Sequence, residues 1–332
     1  MTEVSEIAAT GWAYPSDVVD NAAYLARCRF DLGTDPDALA RETKMKRRTW
    51  CAPGENTWTL ARTAVDRALA TDPALRDEVD VVLVASGTTM PVFHAPDPAN
   101  AGVADLAPLV VRHLGRDGVL GLDLKACYCT GFLRGLQVAD AMLLRCGYRA
   151  ALVVATEQGS RFAVAETNRS TFCYLMSDAA GAAVLRRRPA APRVGVRDHV
   201  GWTDATKFDW VGIGPDAAST VMRGARAAAA THELLVACAT ALLRRNGLAA
   251  AGVDWLLPIQ THAAVVEGLR AALDWPAEKL LWFGDVTGFS GSASIPACLA
   301  EQAHRGVVRK GDLVLSVAVG AGMNCAGALY HY

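Results

Sequence analysis

Two cysteines, Cys127 and Cys129, stand one residue apart directly before a segment with a helical pattern. A structural zinc site usually combines two cysteine or histidine pairs, each spaced by two to four residues, and here no second pair lies nearby. A disulfide across so short a loop would be strained. A cysteine at a helix N-terminus can instead act as a nucleophile, because the helix amides stabilise a thiolate. The remaining alternative is that such a cysteine is a small buried packing residue.

The composition excludes several classes of function. The chain has 332 residues, of which 52% are hydrophobic, so it can bury a large core as one domain or two fused domains. Its net charge of −1 does not indicate nucleic-acid binding. The acidic N-terminal segment does not resemble a secretory signal, and no apolar run reaches the roughly 18–20 residues of a membrane span. Nine scattered cysteines fit a reducing compartment. We expect a cytoplasmic protein with no nucleic-acid or membrane partner.

The cysteines must be positioned by an α/β framework. Apolar runs bounded by turn-forming residues predict buried strands at 80–87, 150–157, 180–186, 254–260 and 312–320. Helical patterns alternate with them at 59–70, 133–147, 232–247 and 294–306.

The same order of elements occurs twice along the chain. This repetition predicts two duplicated α/β halves, residues 1–186 and 231–332, joined by a connecting segment at 187–230. Packed together, the halves would form a five-layer αβαβα structure. Cys129 and Phe289 would occupy equivalent places in them, each just before a helix begins.

Ordered motifs then indicate a family. They are ACYCTGFLRGLQVAD at 126–140, MSDAAGAAVL at 176–185, DWLLPIQTH at 254–262, GFSGSASIP at 288–296 and AVGAGMNCAGALYHY at 318–332. In this order they resemble the motifs of the ketoacyl–acyl-carrier-protein synthase III family, whose members have the thiolase-like fold.

The resemblance implies a chemistry and its components. Cys129 matches the family nucleophile, whereas Cys127 does not and is expected to be a packing residue. The backbone N–H groups of Cys129 and Ala321 would form the oxyanion hole. The donor would be a phosphopantetheine thioester of acyl carrier protein or coenzyme A, with no bound cofactor and no metal. A homodimer is implied, in which a loop with Phe93 and His94 lines the partner's pocket.

The sequence departs from the family at the two polar partners of the nucleophile. The family histidine falls on Ile259 and the family asparagine falls on Phe289, 30 residues later as in the family. Neither side chain can donate a hydrogen bond to the enolate that forms when a malonyl thioester decarboxylates. Decarboxylative condensation is therefore not expected.

Other histidines are candidates for the missing base. His262 follows Ile259 by three positions, which on a helix would place both on one face. The alternative for His262 is a surface or capping role. His199, in the connecting segment, is the second candidate, and Asp285, Glu157 and His94 are weaker ones.

Donor recognition is also altered. The family's Trp and Arg that hold coenzyme A fall on Ala38 and Glu42, and its carrier-docking Arg falls on Ala264. We expect basic residues at the entrance to compensate, namely Arg41, Lys44, Arg223 and Arg226.

These observations support an acyltransferase of specialised metabolite biosynthesis. It would load an acyl group from a carrier-protein or coenzyme A thioester onto Cys129 and pass it, without decarboxylation, to a small-molecule nucleophile, with His262 or His199 as base. One alternative is a catalytically silent thiolase-fold subunit paired with an active homologue. A third is a ketoacyl synthase with a rearranged active site that forms a C–C bond.

Overall fold

The computed structural model describes residues 3–88, 105–125, 128–163, 171–213 and 220–332. The strands are β1 Glu3–Ala13, β2 Asp17–Asp20, β3 Arg47–Trp50, β4 Val79–Ala85, β5 Leu120–Leu124, β6 Ala150–Gln158, β7 Asp178–Pro189, β8 Gly195–Thr203, β9 Val211–Ile213, β10 Thr220–Met222, β11 Trp255–Pro258, β12 Leu313–Gly320 and β13 Asn324–His331. The α-helices are α1 Asn21–Arg27, α2 Pro36–Thr43, α3 Thr57–Ala70, α4 Leu75–Glu78, α5 Ala107–Leu114, α6 Gly131–Cys146, α7 Ser160–Ala163, α8 Gly224–Arg245, α9 Ala263–Ala272, α10 Gly284–Thr287 and α11 Ser294–His304.

The first sheet has five strands in the order β1-β7-β6-β4-β5. Its central strands are buried along almost their whole length, as continuous apolar runs predict. Successive side chains of a strand point to opposite faces, so Val82 and Val84 share a hydrophobic cluster with α3 and α5, whereas Val81 and Leu83 share one with α6 and α11. This sheet is therefore covered by helices on both faces.

The second sheet has four strands in the order β11-β12-β13-β8. Helices α6 and α11 contact it from one side, and α8 packs against β12 and β13 and against α9. The chain is thus layered as helices, sheet, helices, sheet, helices, which confirms the predicted five-layer thiolase-like fold. Strand β7 extends to Pro189, and β8, from the predicted connecting segment, pairs with β13 in the second sheet.

Helix α8 begins earlier than the sequence pattern predicts. Helix α8 begins at Gly224, eight residues before the pattern that predicted it, because the alanine-rich segment between has high helix propensity. By length and composition it is, among the described helices, the one that could cross a membrane. A core helix of a soluble protein passes the same criterion, and the apolar face of α8 is buried against the second sheet.

Candidate active site

Cys129 lies in the short 3₁₀ helix Tyr128–Thr130, which leads directly into α6. The turn is tight: Tyr128 has a φ of 42°, in the left-handed region that few residues with a side chain adopt. Gly131 makes the close approach possible, because a Cβ there would stand 2.8 Å from the Cβ of Ala85 at the end of β4. The sequence around Cys129 therefore presses the start of α6 against the carboxyl end of the first sheet.

Two cavities meet at Cys129. The smaller has a volume of ≈ 90 Å³ and is lined mainly by apolar groups, among them Phe162 and Met176. The larger has a volume of ≈ 500 Å³ and carries more polar groups. Residues that line both are Cys129, Phe172, Val211, Met222, Phe289 and Ala321. A group attached to Cys129 could extend into either cavity.

Ile259 and Phe289 border the larger cavity beside Cys129, and Phe289 also borders the smaller one. Their side chains are 1% and 5% exposed. The ring of Phe289 meets that of Phe172 edge to face, with centroids 5.0 Å apart. Its backbone is fixed by hydrogen bonds from its own N–H to Leu175 and from the Ser177 N–H to its carbonyl. The wall beside the nucleophile is therefore apolar and rigid.

Glu157, at the end of β6, is the carboxyl side chain in the wall of the smaller cavity. It is 3% exposed. Its Oε1 accepts from the Gly87 N–H at 2.9 Å and the Ser292 hydroxyl at 2.6 Å. Its Oε2 accepts from the Thr88 N–H at 3.0 Å, the Thr88 hydroxyl at 2.6 Å and the Ser86 hydroxyl at 3.2 Å. Five donors thus tie the carboxylate to two loops that border Cys129.

The environment of Cys129 favours the neutral thiol. Burial, and then the charge of Glu157, raise the pKa of Cys129 to about 12, and the hydrogen bond from its own backbone N–H only partly opposes them. The sequence led to the expectation that the amides of the helix N-terminus stabilise a thiolate at this position. Desolvation and a nearby negative charge outweigh the helix amides here.

His262 lines the larger cavity, but not from the position that its spacing predicted. Strand β11 ends at Pro258 and α9 begins at Ala263, so Ile259 and His262 do not share a helix. His262 is instead the N-cap of α9, because its Nδ1 accepts from the Ala264 N–H at 3.1 Å. Its side chain therefore combines the capping and cavity-lining alternatives.

The second ring nitrogen of His262 also has a neighbour. Nε2 lies 3.4 Å from the Glu42 Oε1, at the wall of the same cavity. Burial lowers the pKa of His262, and the Glu42 carboxylate partly opposes this effect. The imidazole is thus favoured in its neutral form, with Nδ1 as the acceptor and Nε2 facing the carboxylate.

His199 lies elsewhere. It is on β8, opposite Ala328 of β13, and its Nε2 is 3.5 Å from the Asp140 Oδ2 of α6. His199 is not among the described residues that line either cavity. The structure brings Cys129 and His262 to one cavity and leaves His199 between α6 and the second sheet.

The other predicted site residues are placed as follows. Ala321 lines both cavities with Cys129, where the resemblance places the second oxyanion donor. The basic residues Arg41, Lys44, Arg223 and Arg226 are exposed and flank lining residues without being among those described as lining the larger cavity. Arg41 pairs with Asp35, Arg223 pairs with Asp209, and Asp285 pairs with Lys46. Phe93, His94 and Cys127 lie outside the described residues.

Some residues that line the cavities were not predicted from the sequence. Phe172 enters from the 3₁₀ helix Thr171–Leu175 and Val211 from strand β9, and nothing in the sequence distinguishes them from ordinary core residues. Glu157 had a weak signal, a carboxylate that closes an otherwise apolar strand. Within the described ranges, no group of three or more His, Cys, Asp or Glu could hold a metal ion.

Comparison with known proteins gives consistent matches. The family model for 3-oxoacyl-[acyl-carrier-protein] synthase III matches residues 122–200, and the model for the C-terminal part of that enzyme matches residues 243–332. The chain is 32% identical to the β-ketoacyl-[acyl-carrier-protein] synthase III of Rhodospirillum centenum over 90% of this chain and 91% of the relative. It is 30% identical to that of Sphingopyxis alaskensis over 99% of both chains.

Solved structures also superpose closely on this chain. The 3-oxoacyl-[acyl-carrier-protein] synthase III of Thermus thermophilus superposes with a TM-score of 0.85 at 28% identity, over 99% of both chains. That of Aquifex aeolicus superposes with a TM-score of 0.87 at 23% identity, over 99% of this chain and 100% of the other. The priming β-ketosynthase of the R1128 polyketide pathway superposes with a TM-score of 0.85 at 24% identity, over 99% of this chain and 96% of the other. The last two comparisons show the shared fold.

Proposed function

The chain belongs to the 3-oxoacyl-[acyl-carrier-protein] synthase III family, and from that premise we propose that it is an acyltransferase of specialised metabolism that does not decarboxylate its substrate. Cys129 attacks the carbonyl carbon of an acyl thioester of a carrier protein or coenzyme A. The new C–S bond forms at Cys129, the bond to the donor sulfur breaks, and the donor leaves as a thiol that carries the Cys129 proton. A small nucleophile then takes the acyl group and returns a proton to Cys129.

The observation that carries this proposal is the apolar wall formed by Ile259 and Phe289. A decarboxylating enzyme must stabilise an enolate next to the acyl-cysteine, which requires hydrogen-bond donors aimed at the developing charge. The Ile259 side chain has no hydrogen-bond donor. The Phe289 side chain has none either, and its ring packs against that of Phe172, with centroids 5.0 Å apart. Transfer of an intact acyl group needs only a donor pair for the tetrahedral intermediate, and backbone N–H groups at Cys129 and Ala321 would supply it.

The larger cavity would admit both the donor arm and the acceptor. It reaches from Cys129 to a polar part with Thr261, His262 and Glu42. We propose that the acceptor loses its proton in this polar part of the cavity, with His262 as the base. The His262 Nδ1 accepts a hydrogen bond from the Ala264 N–H. To take the acceptor's proton at Nδ1, His262 must release this N–H, so the capping hydrogen bond breaks when the acceptor binds.

Intact-mass spectrometry tests the loading step. The protein is incubated with acetyl and malonyl thioesters of coenzyme A and of acyl carrier protein, and the mass shift is recorded. We expect one acyl adduct, absent in Cys129→Ala and retained in Cys127→Ala and in Cys146→Ala, since Cys146 is an exposed cysteine. An adduct that survives in Cys129→Ala would contradict the assignment of the nucleophile.

The second candidate function is a catalytically silent subunit that pairs with an active homologue. The raised pKa of Cys129 favours it, because a neutral thiol is a poor nucleophile. The same experiment separates the two functions. Absence of an adduct from every donor, together with stable pairing to a homologous chain in size-exclusion chromatography, would support the silent subunit.

A further inference from the structure

The smaller cavity contains an unusual combination, a buried carboxylate in a wall that is otherwise mostly apolar and next to the nucleophile. We propose that Glu157 is a positioning residue for Cys129, which fixes the two loops around the nucleophile and places a buried carboxylate beside it. The inference rests on the proposed role of Cys129 as the acyl-accepting group. It adds a residue that sets when this group reacts.

The hydrogen bonds of Glu157 exclude two other roles. An ionised carboxylate offers about four lone-pair positions. Five donors from Ser86, Gly87, Thr88 and Ser292 converge on it. The carboxylate therefore has no position left to take the Cys129 proton as a general base, or to accept from a substrate.

The same hydrogen bonds define the positioning role. Gly87 and Thr88 follow β4, and Ser292 belongs to the short 3₁₀ helix that precedes α11. Gly291 lies against the carboxylate, since a Cβ there would stand 3.2 Å from the Glu157 Cγ. Gly87 in turn contacts Tyr128, with an added Cβ only 2.9 Å from the ring. Glu157 thus joins the segments that enclose Cys129 from two sides.

The charge acts on Cys129 through a low-dielectric space. The titratable side chains described around Cys129 are Glu157 and Tyr128 at the smaller cavity, and Glu42 and His262 at the larger. The Glu157 carboxyl group is buried, so solvent screens its interaction with Cys129 only weakly, whereas the Glu42 side chain is 69% exposed. After burial, Glu157 is the next cause that raises the pKa of Cys129, and it favours the protonated thiol.

The test is the pH profile of Cys129 alkylation by iodoacetamide, read at the Cys129 peptide by mass spectrometry. In the wild type we expect a midpoint well above that of the exposed Cys146, which serves as an internal reference. Glu157→Gln removes the charge and keeps the size, so the midpoint should fall and the rate at pH 8 should rise by about tenfold or more.

Two further variants distinguish charge from structure. Glu157→Asp keeps the charge and should keep the alkaline midpoint. Thr88→Val removes one hydroxyl donor from the same cluster and should shift the midpoint by far less than Glu157→Gln. The control Glu301→Gln alters a carboxylate beside Cys298 and should leave the Cys129 profile unchanged.

The inference is overturned by a wild-type midpoint equal to that of Cys146, or by equal shifts in Glu157→Gln and Thr88→Val. If Glu157→Gln does not fold, the pH profiles of the wild type, Glu157→Asp and Thr88→Val still test the inference. Failure here leaves the acyl-adduct experiment unaffected, because that experiment detects loading whatever sets the rate.

Discussion

The two cavities that meet at Cys129 are built differently. The smaller is lined mainly by apolar side chains and by loops that Glu157 ties together with five hydrogen bonds. The larger has a polar part in which the Glu42 carboxylate, 69% exposed, stands 3.4 Å from His262. The hydrogen-bonded Glu157 carboxylate thus lies at the smaller cavity and the exchangeable proton of His262 at the larger one. This arrangement suits a site where the acyl group is held on one side and the acceptor arrives from the other.

The largest effect is expected at the wall shared by both cavities. Phe289→Ala removes a buried ring and should lower the free energy of unfolding by about 3–5 kcal/mol. Urea denaturation measures this loss. The matched control is Phe208→Ala, whose ring is 71% exposed, and it should change stability by no more than about 0.5 kcal/mol. Similar values for both variants would mean that the Phe289 ring is not packed in the core.

A smaller effect is expected at the cap of α9. His262→Ala removes the acceptor for the Ala264 N–H and should cost about 1 kcal/mol of stability. Onward transfer from acyl-Cys129 should also slow, while loading is retained. If transfer continues at the wild-type rate, the base is not His262.

The pH dependence of stability follows from the same histidine. Because burial lowers the pKa of His262, the unfolded chain binds more protons near pH 6 than the folded chain does. The contribution of His262 is therefore fully present above the ordinary histidine pKa of about 6.5 and is lost as the pH falls through the lower, folded value. Denaturation at pH 7.5 and at pH 5 should show a smaller loss in His262→Gln than in the wild type. An equal loss would refute this contribution.

The smallest effect is expected for the ion pair itself. Glu42→Gln should change stability by no more than about 0.5 kcal/mol, since exposed ion pairs contribute little. A double-mutant cycle with His262→Gln measures the coupling. A coupling energy above about 1.5 kcal/mol would show that the His262–Glu42 pair is held as firmly as the Glu157 cluster, and the contrast between the cavities would fail.

The sequence predicted the framework well. Short continuous apolar runs bounded by turn-forming residues favour strands covered on both faces, so the core strands were predicted near their observed bounds. The register of Gly131-Phe132 placed Cys129 before α6, as observed. Ile259 and Phe289 were located by the resemblance to the family motifs, supported by their spacing, and both line the cavity beside Cys129.

The electrostatics of the site could not be predicted in the same way. Whether a thiol is ionised depends on how far it is desolvated and on charges distant in sequence, such as Glu157, 28 positions after Cys129. The role of His262 depended on where α9 begins, and helix ends are the least certain feature of a sequence pattern. Both depend on tertiary contacts that no local pattern encodes.

We propose that Cys129 carries an acyl group without decarboxylating a partner substrate. In the direct measurement, Cys129 is loaded with an acetyl group, malonyl-acyl carrier protein is added, and both carbon dioxide and 3-oxoacyl product are followed. We expect that the cysteinyl ester persists and that neither product forms above the level of Cys129→Ala. Repeated turnover to a 3-oxoacyl thioester, lost in Cys129→Ala, would contradict it.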